Sequence, residues 1–183
     1  MSMQRKENIA NAFLALTKKK NIDKITVKDL VEYCGISRQS FYYHFPDITG
    51  VIEWLMLRQE EEISARIYAS DSFEGSIRIL AESVLENQGL IIKLRNSQKR
   101  DFFERLILNT MQERFRQAIR ESSSDASGNM TAAETETLIR FFSFGLTGLI
   151  ISFCHSRDAN ADQLTKQVLS VFRNLSVNPN AFL

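Results

Sequence analysis

The side chains with most to offer chemically lie between residues 25 and 45, where the chain reads ITVKDLVEYCGISRQSFYYHF. Arg38 and Gln39 carry paired donors that fit base edges in a major groove. Ser37, Tyr42 and His44 can bond phosphate oxygens and fix register, so reading and positioning fall to different residues. The constellations an enzyme needs are missing. The chain has only two histidines. Cys154 and His155 are neighbours on one helix and point about 100° apart, which suits neither a nucleophile–base pair nor a chelate. No glycine-rich phosphate loop occurs, and no catalytic residue, metal ligand or cofactor is assigned.

Local signals say how these residues are held. Thr26 is a good N-cap with Asp29 three residues on, and Ile25 can staple onto Leu30, so a helix starts at Val27. Gly35 stands where a residue at positive φ would end it. Ser37 can cap again, with Ile36 stapling onto Phe41, so a second helix begins three residues after the first ends. That is helix-turn-helix spacing. Phe41 and Phe45, at i and i+4, then point inward and leave Arg38, Gln39, Tyr42 and Tyr43 outward, a face suited to a major groove. The competing reading is an ordinary α-hairpin whose aromatics fill a core, with His44 beside Phe45 capping the helix end. Charge favours DNA: residues 1–50 carry eight Lys/Arg against five Asp/Glu, or +3, while residues 51–183 carry fifteen against seventeen, or −2.

From about Ile9 to Leu55 the chain resembles the DNA-binding domain of the TetR/AcrR family of bacterial transcriptional regulators. The matching pieces are Ile9 through Leu16 as first helix, Thr26-Val27, Leu30, the turn Gly35-Ile36-Ser37, and Phe41-Tyr42-Tyr43-His44-Phe45. The resemblance implies a homodimer with two recognition helices, a ligand pocket in a divergent carboxy-terminal helical domain, and release or capture of operator DNA when ligand binds. It also implies that Thr26 contacts phosphate at a helix start, that Ser37, Arg38, Gln39 and Ser40 approach the groove, and that Tyr42, Tyr43 and His44 grip the backbone. One departure is Ile48, where a basic residue is common in the family, so an expected phosphate contact is missing. Arg38 through Tyr42 and the nearby Trp54 look somewhat like a subgroup of activators related to dihydroxyacetone kinase regulation, which implies a protein co-regulator.

The remainder bounds the architecture. With 183 residues, 44% apolar and 25% charged, seven Gly and two Pro, the chain is globular and can bury a core. Its 3.6-residue periodicity reads as all-α: residues 1–46 as a helix-turn-helix domain, and 47–183 as a larger helical domain for effector binding and dimerisation. In the latter, helices are expected at about 99–121, 132–156 and 161–175, with Glu121–Asn129 as a mobile loop. The second of these is apolar nearly all round, which predicts burial on every side. Trp54, Phe102, Phe103, Phe141, Phe142, Phe144 and Phe153 either line an apolar pocket or simply fill the core. Gly145, Gly148, Leu149, Ser152 and Phe153, with Leu164, Val168 and Phe172, read as a dimer surface, although core packing would give a similar pattern. The apolar run Phe141–Cys154 is fourteen residues long, short of the ~20 that span a bilayer. Neither a membrane segment nor a secretory signal is expected, and the expected compartment is the cytoplasm, with Cys34 and Cys154 reduced.

The function expected from all this is a sequence-specific, ligand-responsive repressor acting as a homodimer on a palindromic operator, its effector a small molecule or a protein. An activator under a protein co-regulator is the alternative, followed by a helical adaptor that does not bind DNA.

Overall fold

The computed structural model describes residues 2–121, 130–156 and 160–174. Their helices are α1 (Ser2–Thr17), a 3₁₀ turn (Ile22–Lys24), α2 (Val27–Cys34), α3 (Arg38–His44), α4 (Ile48–Tyr68), α5 (Phe73–Glu86), α6 (Gln88–Arg95), α7 (Arg100–Glu121), α8 (Ala132–Cys154) and α9 (Ala161–Asn174). No strand occurs among the described residues, and the protein is all-α. The expected loop falls, from residue 122 to 129, outside the described residues.

Two compact units divide the chain: Met1–Glu62 with Lys93–Asp101, and Ile63–Ile92 with Phe102–Leu183. Thus α4 contributes Ile48–Glu62 to the first unit and Ile63–Tyr68 to the second. In the first unit Ile9, Phe13, Leu30, Phe41, Val51 and Leu94 are fully buried, with Phe45 and Ile52 nearly so. Burying side chains of this size contributes roughly 1.5–3 kcal/mol each. Segment 93–101 is tied to the rest of its unit through backbone groups. Lys93 Nζ donates to the Thr17 carbonyl at 2.7 Å, placing a cation at the carboxy-terminal end of α1 where the helix dipole favours it. The Gln98 amide donates to the Asp23 carboxylate at 3.0 and 3.2 Å.

In the second unit α5 packs chiefly against α9 and also against α8. Ala81, Phe142, Leu164 and Val168 form the centre of its core, and Phe115 of α7 meets Phe142 at 6.2 Å between ring centroids. Across α7 and α8 the Arg116 guanidinium forks onto Glu136, at 2.8 and 3.3 Å, a geometry that adds direction as well as charge. The bond from Glu136, followed by one from Glu113, holds Arg116 above the usual arginine pKa.

Two expectations are corrected here. First, α8 is not buried on every side: Phe141 and Phe144 are 67% and 60% exposed, and Gly145, Gly148, Leu149 and Ser152 are exposed with them. A helix apolar all round can give only one face to its own chain's core, and periodicity does not say what covers the other. Second, Leu164 and Val168 lie in the unit's own core, because an apolar stripe marks a buried face without naming its partner. Phe172 lies outside the residues whose side chains are described. Among the described helices, α8 alone has the length and apolarity to cross a membrane, with a mean hydropathy of 1.7 over its best window. Its inner face, including Ile139, Phe142 and Ile150, is spent on the core.

Candidate nucleic-acid interface

The interface is built from two caps and a turn. At the start of α2 the Thr26 hydroxyl accepts from the Asp29 amide at 3.2 Å, and the Asp29 carboxylate accepts from the Thr26 amide at 2.7 Å. This reciprocal box satisfies two amides that the first helical turn leaves unpaired. Lys20 Nζ sits 2.5 Å from the same carboxylate. Its bond, ahead of those from Thr26, lowers the Asp29 pKa from 3.8 to about 2. The Thr26 hydroxyl also donates to Asp29 at 2.7 Å, so its first duty is to the helix end.

Gly35 has φ 63° and ψ 36°. Its amide donates to the Glu32 carbonyl at 3.4 Å and the Ile36 amide to the Val31 carbonyl at 3.0 Å. These are the two bonds that close a helix through a left-handed residue. Ser37 then caps α3, its hydroxyl accepting from the Ser40 amide at 3.1 Å. The chain thus turns within three residues and begins a helix whose direction is fixed at its first turn.

Inside, Phe41 is fully buried and Phe45 is 3% exposed, their rings tilted against each other at 6.1 Å. Trp54 of α4 meets Phe45 edge to face at 6.2 Å. Outside stand Ser37, Arg38 and Gln39, all exposed, with Tyr42 at 55% and Tyr43 at 82%. Ser40 and His44 are half-buried. Tyr42 and Tyr43 are adjacent on the helix that carries Arg38 and Gln39, so the exposed face of α3 combines two phenols with an arginine and a glutamine.

Sequence reading missed what α1 adds. Lys6 Nζ lies over the Phe45 ring, 5.6 Å from its centroid, at the carboxy-terminal end of α3. Burial first, then the charges of Arg5 and Lys6, hold His44 below the ordinary histidine pKa. The shift favours the uncharged imidazole, whose ring N–H is a hydrogen-bond donor. The available signal was positional: Lys6 lies three and seven residues before Ile9 and Phe13, on the same face of α1.

Of the residues expected to line a pocket, Phe141 and Phe142 meet edge to face with 5.5 Å between ring centroids, and Phe142 shares a core with Phe153. Trp54 belongs to the first unit. In the second, Phe103 is fully buried and Phe102 half-buried, whereas Phe141 and Phe144 face outward from α8. Phe153 is half-buried against the core. The residues of the expected dimer surface that do share a face are Gly145, Gly148, Leu149 and Ser152, in one exposed row with Phe141 and Phe144. Cys154 is buried, while His155 is exposed and bonds the Ile151 carbonyl through Nδ1 at 2.9 Å.

Comparison with known proteins covers both parts of the chain. The family model described as bacterial regulatory proteins, tetR family, matches residues 9–53. A second, described as transcriptional regulator C-terminal region, matches residues 71–174. No curated protein sequence matches the chain. Among solved structures it is similar to the dihydroxyacetone kinase operon activator DhaS, with TM-score 0.68, 18% identity, and 93% of this chain and 95% of that one covered. It is also similar to a protein described as a TetR-family transcriptional regulator from Syntrophomonas wolfei, with TM-score 0.69, 15% identity and 97% of each chain covered. The TetR family repressor AlkX from Dietzia sp. matches at TM-score 0.52 and 15% identity, covering 93% of this chain and 94% of that one. At these identities the structural matches speak for the fold.

Proposed function

Because the chain belongs to the TetR family of bacterial transcriptional regulators, we propose that it is a ligand-responsive repressor, acting as a homodimer on a palindromic operator. The observation that carries this reading is the outward face of α3, where Arg38, Gln39, Tyr42 and Tyr43 stand exposed over buried Phe41 and Phe45. Arg38 and Gln39 read bases, with Ser37 and Ser40 close to the groove. Tyr42, Tyr43, His44 and Thr26 grip the backbone. Residues 1–46 do the DNA binding, and residues 47–183 bind effector and dimerise.

The exposed α8 row from Phe141 to Ser152 supports dimerisation, since its glycines permit close approach of a second helix beside Leu149 and Phe144. Two-fold symmetry of the protein then requires an inverted repeat, with recognition helices about 34 Å apart or somewhat more to meet successive major grooves. An effector moves the operator equilibrium only by its differential affinity for the two dimer geometries.

Site selection from a random duplex library tests the proposal, followed by sedimentation and by transcription from a template carrying the selected site. Inverted-repeat sites, two chains per site and lower transcript are expected. A monomer on a single half-site would refute the dimer. Raised transcript would favour the activator reading suggested by Trp54 and the Arg38–Tyr42 sequence, its control then passing to a protein co-regulator.

A further inference from the structure

Several hydroxyls on the helices of this protein share one habit. Ser83, Thr110, Thr137 and Thr165 each turn back and donate to the carbonyl four residues earlier, at 2.8, 2.9, 2.8 and 2.8 Å. That local bond lets a hydroxyl enter a core without losing its hydrogen bonding. Ser143 and Thr147 do not make it. They lie one turn apart on the inner face of α8, at 0% and 7% exposure, in a buried row with Ile139, Ile150 and Cys154. Neither hydroxyl oxygen has a hydrogen-bond partner. An unpaired buried hydroxyl is costly, and two in register make one polar spot in an apolar row.

We infer that Ser143 and Thr147 are the polar contact of an effector site inside the second unit, which takes a neutral, mainly apolar molecule through a single carbonyl or hydroxyl oxygen. The inference rests on the reading of the chain as an effector-controlled regulator. Side chains at i and i+4 have Cβ atoms about 5–6 Å apart, so one oxygen between them meets both hydroxyls at hydrogen-bond distance. The apolar requirement comes from Ile139, Ile150 and Cys154 beside them. Neutrality follows from the polar groups buried among the described residues, which are hydroxyls of Ser and Thr alone. A charged ligand would find no buried countercharge.

The probes are 2-decanone, 1-decanol, decane and decanoate, read by thermal shift on the full chain and on Ser143→Ala, Thr147→Val and the double variant. The ketone and the alcohol raise the wild-type Tm, decane raises it less, and decanoate leaves it unchanged. Each substitution removes an unpaired hydroxyl, so the ligand-free Tm holds or rises. Affinity for the ketone falls roughly three- to tenfold per hydroxyl, and its advantage over decane vanishes in the double variant. A lower ligand-free Tm in both single variants overturns the inference, because the hydroxyls would then already be bonded in the core. No shift with any probe, or an equal response to decane and decanone, also overturns it. Binding to the selected operator is measured alongside. Ligand shifts without operator binding remove the regulator reading and keep the site, while operator binding without ligand shifts removes the site and keeps the reading.

Discussion

Replacing Gly35 with Ala isolates the energetic cost of the turn that orients α3. The glycine sits at φ 63°, and a Cβ built on it meets nothing within 4 Å. No clash arises, and the penalty is conformational alone. An L-residue in the left-handed region costs roughly 1–2 kcal/mol, partly offset by about 0.4–1 kcal/mol because alanine restricts the unfolded chain more than glycine does. The expected net loss is about 1 kcal/mol, which at a typical urea slope of ~1–3 kcal/mol/M moves the midpoint by about 0.3–1 M with the slope unchanged. Gly35→Asn should lose less, since asparagine tolerates this region. The folded Ala variant keeps the bonds to Glu32 and Val31, so its operator affinity is unchanged. Urea denaturation followed by circular dichroism gives the stabilities, and fluorescence anisotropy gives the affinity. A loss within the roughly 0.5 kcal/mol of an ordinary surface change, or an Asn variant as costly as the Ala one, would refute the reasoning.

Other expectations concern the faces on either side of that turn. Arg38→Ala and Gln39→Ala should each cost about 1–3 kcal/mol at the base pair read and relax preference there; operator-to-random ratios at fixed salt check this. Tyr42→Phe keeps the ring and loses the hydroxyl, so it should weaken operator and random DNA by a similar factor in the same assay. The depressed Asp29 carboxyl contributes stability that is fully present above pH 3.8 and is lost as pH falls toward about 2. Acid titration of wild type against Asp29→Asn should show that difference, about 1 kcal/mol after allowing for solvent screening of a partly exposed pair. Leu149→Glu places a charge in the exposed α8 row and should shift sedimentation toward monomer without lowering the monomer's helicity.

The parts of the site that were legible in the sequence are those fixed by neighbours in the chain. Caps, the glycine turn and the i, i+4 aromatics act over three to five residues, so Thr26, Gly35, Ser37, Phe41 and Phe45 declared themselves. Periodicity marked α7, α8 and α9 for the same reason, whereas it gave no bounds for α5 and α6. What stayed hidden depends on contacts distant in sequence. Periodicity gave α9 a buried stripe but could not say that Ala81 and Phe142 cover it, nor that half of α8 would face outward. Lys6 over Phe45 is likewise a pairing between residues far apart in the chain, and composition reported it only as part of a basic end. The unpaired hydroxyls of Ser143 and Thr147 are invisible to pattern, since Ser83, Thr110, Thr137 and Thr165 stand on helices in the same way and do meet a carbonyl of their own helix.

The seven residues of α3 are too few to hold a helix in water by themselves. Their shape is lent by the caps and by two phenylalanines on the hidden side. Heritable change can therefore act on the two sides independently. Substitutions at 38, 39 and 43 leave the caps and the buried rings untouched, and one at 42 alters only an edge-to-face contact with Phe41, so descendants of this chain can acquire new DNA targets in single steps while remaining folded. Changes at 41 or 45 forfeit target and structure together. A library randomised at the four outer positions should yield mostly folded proteins with divergent preferences, which makes this short helix an interchangeable part in the lineage as well as in the laboratory.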